Sequence, residues 1–370
     1  MSESRMDRRD FMRDAAVAAA GIAAGGANLG AAKPQGAAPP VNRASILNYN
    51  ENMEYRKLGK TGLTVSAVCL GGHWKRVNIM VPGLFKGDGW LGADLKNSEF
   101  AKNRADIVSK CIEVGINYID ACTGAEVQAY SAALKGRRDK MYLGFSWYEH
   151  EMRFGGWQDS LDKMIEGFDA GLKTCGLDYV DVWRITMHEQ TSKGNTEKHI
   201  EIAMQCLEKA KKQGKARFTG VSSHDRPWIA SAVEKYPQLE VICTPYTAGS
   251  KVLPKDSVFD AVRKCNVGIF GIKPFGGNSL FKGDSSPNSP TAEEDDRLAR
   301  MAIRNILCNP AITAPIPGMI NLHQVDNMAK AVQERRELDE KEKAELELAT
   351  QRMWANLPPD HQWLRNWEYV

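Results

Sequence analysis

From Met53 onward, short unbroken apolar runs alternate with longer stretches whose apolar positions recur every three or four residues. The short runs cover residues 66–70, 116–120, 141–145, 179–185, 216–221, 240–244, 267–273 and 312–316. They are rich in Val and Ile and lack polar alternation, the pattern of strands covered on both faces. Between them, residues 196–213 place Ile200, Ala203, Met204, Leu207 and Ala210 on one stripe of a helix. Thr291 and Glu294 have capping-box spacing and predict a helix running toward Cys308, with Pro310 just past its end. Eight strands alternating with helical segments predict an α/β chain folded as a (β/α)8 barrel. A doubly wound sheet would announce itself by G-x-G-x-x-G after the first strand, where this sequence reads Gly71-Gly72-His73-Trp74.

The ends of the chain follow other rules. Residues 1–40 join a charged start, Asp7-Arg8-Arg9-Asp10-Phe11-Met12-Arg13, to an Ala/Gly-rich stretch and then a Pro-rich linker. That layout resembles a twin-arginine export signal. It implies passage through the twin-arginine (Tat) machinery to the periplasm or beyond, with membrane association if the signal is kept. The barrel is expected over residues 53–345. Residues 346–370 then form a helical, Trp-rich tail (Trp354, Trp363, Trp367) folding back over apolar surface, and the acidic and basic run 334–347 coats a solvated helix.

Composition narrows the chemistry. Lys and Arg total 49 against 46 acidic residues, so nothing marks a binder of nucleic acid, and a small molecule is the expected ligand. None of the eight cysteines forms a C-x-x-C pair, and no metal site is expected. Two partial motifs fail on one residue each. Gly59-Lys60-Thr61 has Glu54 where a phosphate loop needs its first Gly, and His188-Glu189 has Ser192 where a zinc helix needs its second His.

Barrel enzymes carry their chemistry on the loops after the strands. Asp120, His188, His224 and Lys273 each end or follow a strand there. Asp120 with Lys273 would form a buried ion pair, and His188 would complete a proton-handling group. Trp74, Trp147, Tyr148 and Trp183 either line an aromatic substrate wall or pack beneath long loops. The loops 72–98 and 276–289 are long enough to rim a pocket.

Several segments resemble one family. They are Tyr55-Arg-Lys-Leu-Gly-Lys-Thr-Gly-Leu-Thr-Val65, Gly115-Ile-Asn-Tyr-Ile-Asp120, Ala133-Leu-Lys-Gly-Arg-Arg-Asp-Lys140, Leu177-Asp-Tyr-Val-Asp181, Gly220-Val-Ser222 and Pro315-Ile-Pro-Gly318. In this order they resemble the aldo-keto reductases. The resemblance implies a (β/α)8 barrel with an N-terminal β-hairpin across its floor, and carbonyl reduction with NADP or NAD. It also implies a cofactor held by Gly72, Ser222, Ser223, Phe275, Gly276, Gly277, Gly318, Asn321, Gln324, Asp326 and Asn327. The family's Asp is kept as Asp120. Its Tyr, Lys and His positions hold Thr123, Ser146 and Thr186, and its nicotinamide-side positions hold Ser223, Cys243 and Ile272. The expected function is therefore an oxidoreductase acting on a carbonyl, sugar or polyol through an altered proton-transfer site. A non-catalytic binding barrel, or a lyase or isomerase using Asp120, Lys273 and His188, are the alternatives.

Overall fold

The computed structural model describes residues 43–72, 77–84, 93–152, 155–187, 196–250 and 257–367. It opens with an antiparallel hairpin, β1 (Tyr55–Lys57) on β2 (Thr64–Ser66), with Tyr55 opposite Ser66. The turn between them carries Gly59 at φ 48°. A Cβ there would stand 2.3 Å from the Gly268 amide nitrogen, so the turn seats directly against the barrel floor. Leu58, Leu63 and Val65 plug that floor and meet Tyr118, Val182 and Phe270 inside the barrel.

The chain then enters β3 (Leu70–Gly71), and parallel strands follow with helices between them. In order these are α1 (Val77–Met80), α2 (Ser98–Val114), β4 (Tyr118–Ala121), α3 (Gly124–Ala133), β5 (Tyr142–Phe145), α4 (Leu161–Cys175), β6 (Val180–Thr186) and α5 (Glu197–Lys212). Next come β7 (Ala216–Ser222), α6 (Arg226–Lys235), β8 (Val241–Pro245), α7 (Val258–Lys264), β9 (Gly268–Ile272), α8 (Ala292–Leu307), β10 (Ala314–Ile316), α9 (Leu322–Gln333) and α10 (Glu340–Ala355). The strands β3 to β10 pair in sequence order. A Gly71–Gly318 bridge, with amides of Cys69 and Gly71 donating to the carbonyls of Pro315 and Pro317, closes the circle. The expected (β/α)8 barrel is the fold.

Two local expectations need correcting. The run 66–70 is not one strand: Ser66 belongs to the hairpin, and only Leu70 and Gly71 join the barrel. The Ala67 amide bonds Glu54 while the Cys69 amide bonds Pro315, so the chain changes partners between them. Helix α5 starts at its Thr196 cap as expected, but α8 is not opened by a Thr291–Glu294 box. The Thr291 hydroxyl bonds Asp295, and Glu294 pairs with Lys282 instead.

The tail ends in a 3-10 segment, Pro359–Trp367, anchored by buried Leu364. The charge run before it is only partly solvated, since Glu342 accepts two bonds from the nearly buried Arg304 guanidinium. Among the described residues, no helix is long and apolar enough to cross a membrane.

Candidate active site

Alternation on β6 sends Trp183 and Ile185 outward against the helices and Val182 into the barrel. Arg184 follows Val182 on the inner face. Its Nε donates to Asp120 Oδ1 at 2.7 Å and its Nη2 to Oδ2 at 2.5 Å, a two-pronged clasp. Arg184 is 2% exposed and Asp120 5%, so the pair lies in the barrel interior. The two residues stand on β4 and β6, and β5 runs between them. The register places Gly144 opposite Asp120 on one side and Val182 on the other. A Cβ at Gly144 would lie 2.9 Å from Asp120 Oδ1 and 2.2 Å from Tyr118 Oη. The pair closes across β5 because that strand carries no side chain at this level.

Asp120 uses both oxygens on Arg184, yet the guanidinium is not fully used. Its Nη1 is buried and has no hydrogen-bond partner among the described residues. Leaving such a donor unmatched costs about 1–3 kcal/mol, so an incoming oxygen atom would be favoured there. The Tyr118 hydroxyl is likewise buried without a partner, but it stands one layer deeper, its ring 4.4 Å from Phe270. Burial, with Asp120 nearby, pushes that phenol far above its usual range, so it keeps its proton.

Above this pair lies a second buried group. Glu151 Oε2 accepts from the Ser146 hydroxyl and the Thr186 amide, both at 2.8 Å. Its Oε1 accepts from the Trp147 amide at 2.9 Å and Trp183 Nε1 at 3.2 Å. Ser146 and Thr186 bond each other at 2.9 Å. Burial raises the Glu151 carboxyl to about 6, against the pull of its hydrogen bonds and of Arg184. Ser146 and Thr186 are thus joined through a carboxylate that ties the ends of β5 and β6. Cys122, whose Sγ is 3.9 Å from the Thr186 hydroxyl, is pushed by burial to about 12 and stays a neutral thiol.

Of the residues expected to converge, His188 lies outside the described residues, as does Trp74. Asp120 takes Arg184 as its partner where Lys273 was expected. Lys273 follows β9 at φ 57°, and its ammonium sits 5.5 Å from the centre of the Trp363 ring. Buried His224 also stacks on Trp363, the ring centroids 4.2 Å apart. The tail indole therefore links Lys273 and His224 across the mouth. Trp183 is no substrate wall: it is 1% exposed and stacks on Phe168 of α4 at 3.9 Å. Trp147 and Tyr148 are buried as well.

The expected cofactor residues fall into four places. Gly72 stands where a Cβ would meet the Glu126 carboxyl at 2.3 Å, and its amide donates to the Asp120 carbonyl. Ser222 ends β7 and Ser223 follows it; both are buried, with Ser223 Oγ accepting from the Asp225 amide. Phe275, Gly276 and Gly277 follow Lys273, the glycines at φ 56° and 66°. Gly318 closes the barrel, and Asn321 caps α9 by accepting from the Gln324 amide while Gln324 Oε1 accepts from Ile320. Asn327 is held by Arg300 and by the Asp296 carbonyl, whereas Asp326 points to Lys110 at 3.1 Å on the surface. Arg184 is the candidate-site residue that sequence reasoning missed. A lone Arg inside a run of buried strand residues was the available signal, because such a charge requires a partner.

The family model described as "Aldo/keto reductase family" matches residues 89–298. Across 322 residues the chain is 23% identical to "Uncharacterized oxidoreductase YqkF" of Bacillus subtilis (strain 168), covering 79% of this chain and 95% of that one. Over 307 residues it is 22% identical to "L-galactose dehydrogenase" of Arabidopsis thaliana, covering 76% and 89%. The holo form of "aldo-keto reductase AKR11C1 from Bacillus halodurans" superposes with TM-score 0.57 at 21% identity, covering 84% of this chain and 99% of that one.

Proposed function

The chain belongs to the aldo/keto reductase family, and from that premise we propose that it is an oxidoreductase acting on a carbonyl, sugar or polyol, with Arg184 and Asp120 at its charged centre. The single observation carrying this reading is the buried Arg184–Asp120 clasp with Nη1 left open. A carbonyl oxygen gains negative charge as hydride reaches its carbon. A fixed cation in a water-poor site stabilises that charge without reorganising. Asp120 holds the guanidinium plane still, and Arg184 presents the free amino group to the oxygen. An arginine stays protonated, so it supplies charge and not the proton. Lys273, which follows β9, and His188, two residues after β6 in the sequence, are the proposed proton carriers; His224 shares the Trp363 ring with Lys273.

NADP or NAD would supply the hydride. Residues 222–223, 275–277 and 318–327 are those that would hold it, the two glycines at positive φ allowing close backbone approach. Export through the twin-arginine route is part of the same reading, supported by the Asp7–Arg13 segment. The periplasm is not expected to supply free dinucleotide, which would make cofactor loading before export a requirement.

The test is turnover. NADPH and NADH oxidation at 340 nm is followed with the full chain against a panel of aldoses, ketoses and simple ketones, with dinucleotide reduction against polyols. Turnover by the wild type and its loss in Arg184→Lys, which keeps the charge but not the fork, is the expected result. Wild-type turnover unchanged in the variant would remove Arg184 from the chemistry.

A further inference from the structure

We propose that residues 359–367 form an autoinhibitory strap lying in the dinucleotide groove, so that cofactor enters only when the strap lifts. The inference rests on the reading above that residues 275–277 receive the pyrophosphate.

Both glycines of that loop have their side-chain face filled, Gly277 by the strap and Gly276 by helix α10 at its base. A Cβ on Gly277 would stand 2.9 Å from the His361 ring, and one on Gly276 would stand 2.6 Å from Met353 Sδ. Glycine at these two positions lets the tail approach the loop to van der Waals contact. Two residues beyond His361, Trp363 lies flat on the His224 ring, the planes 19° apart, and under the Lys273 ammonium. His224 follows the β7 end that carries Ser222 and Ser223, and Lys273 leads into the glycine loop. The indole thus covers the stretch between the two segments that would hold the dinucleotide. A planar ring stacked beside a cation occupies the place with the kind of contacts a flat heterocycle and a phosphate would use.

The strap's hydrogen bonds run mainly to the residues at its base. The His361 amide bonds the Pro358 carbonyl, Gln362 Nε2 the Leu357 carbonyl, Trp363 Nε1 the Asp360 carbonyl and Arg365 the Trp354 carbonyl. Only the Trp363–Asp360 bond lies inside 359–367; the other three hold the strap to residues 354–358 at its base, and lifting breaks the ring contacts to the mouth and withdraws buried Leu364. If only the lifted fraction binds, the apparent affinity is reduced by that fraction.

The experiment is calorimetric titration of NADPH and NADH into the full chain and into Trp363→Ala and His361→Ala, with thermal unfolding to confirm that each variant folds. The strap predicts about tenfold tighter dinucleotide binding in Trp363→Ala and a smaller gain in the same direction in His361→Ala. Equal affinity in all three proteins overturns the strap while leaving dinucleotide binding intact. Weaker binding in the variants makes the tail a clamp and also overturns it. Absence of binding in every protein removes the dinucleotide reading and the strap together. If Trp363→Ala fails to fold, His361→Ala carries the comparison.

Discussion

Replacing Arg184 with Met is expected to cost about 3–5 kcal/mol of folding stability, because it strands the Asp120 carboxylate in the barrel interior. Asp120 is 5% exposed and spends both oxygens on the guanidinium, so no solvent stands ready to replace the lost partner. Its other recorded side-chain donor, the Cys243 thiol at 4.0 Å from Oδ1, is a weak one. The effect separates pairing from packing when Asp120→Asn is added. A neutral amide beside the introduced thioether removes the stranded charge, and the double variant is expected to recover a large part of the loss. Urea unfolding of the two single variants and the double variant measures this. A cost under about 1 kcal/mol for Arg184→Met would show that the clasp contributes little to the fold. Both single variants are also expected to lose turnover, since one lacks the charge and the other its fixed orientation.

Glu151→Ala is the second large effect, expected to cost about 3–5 kcal/mol. It leaves the Trp147 amide, the Thr186 amide and Trp183 Nε1 buried without an acceptor, each costing about 1–3 kcal/mol before relaxation. Ser146 and Thr186 still have each other. The same residue gives a signed pH dependence. Its folded carboxyl titrates at about 6, above the ordinary 4.5, because burial penalises the ionised form. The folded state therefore holds this proton more tightly than the unfolded chain. Glu151 is least favourable to folding above pH 6, and its contribution improves by about 2 kcal/mol as pH falls from above 6 to below 4.5. Denaturant midpoints measured between about pH 7.5 and 5 should show this rise in the wild type and its absence in Glu151→Gln. An identical pH slope in both proteins would assign the titration elsewhere.

The barrel is legible because buried parallel strands leave unbroken apolar runs, and those runs fall within a residue or two of β4 to β10. The hairpin and the first strand are blurred for the opposite reason. Residues 66–70 carry no polar break after Ser66, and only cross-chain hydrogen bonding divides them between two sheets. Asp120 can be picked out from its place at a strand end, but its partner cannot. Arg184 is 64 residues away in sequence, and the contact depends on Gly144 leaving a gap in the strand between. Linear spacing carries no trace of that gap. The Trp-rich tail points to covered apolar surface. That it settles on His224, Lys273 and the Gly276–Gly277 loop follows from ring stacking and close glycine contacts, which composition does not encode.

Amide hydrogen exchange of the full chain, with and without millimolar NADPH or NADH, tests the central claim most directly, because it reports where a dinucleotide lies as well as whether it binds. A reductase of this family type, with its cofactor at the barrel mouth, predicts slowed exchange concentrated in residues 275–280 and 318–327. Exchange unchanged in both segments with either dinucleotide would contradict it.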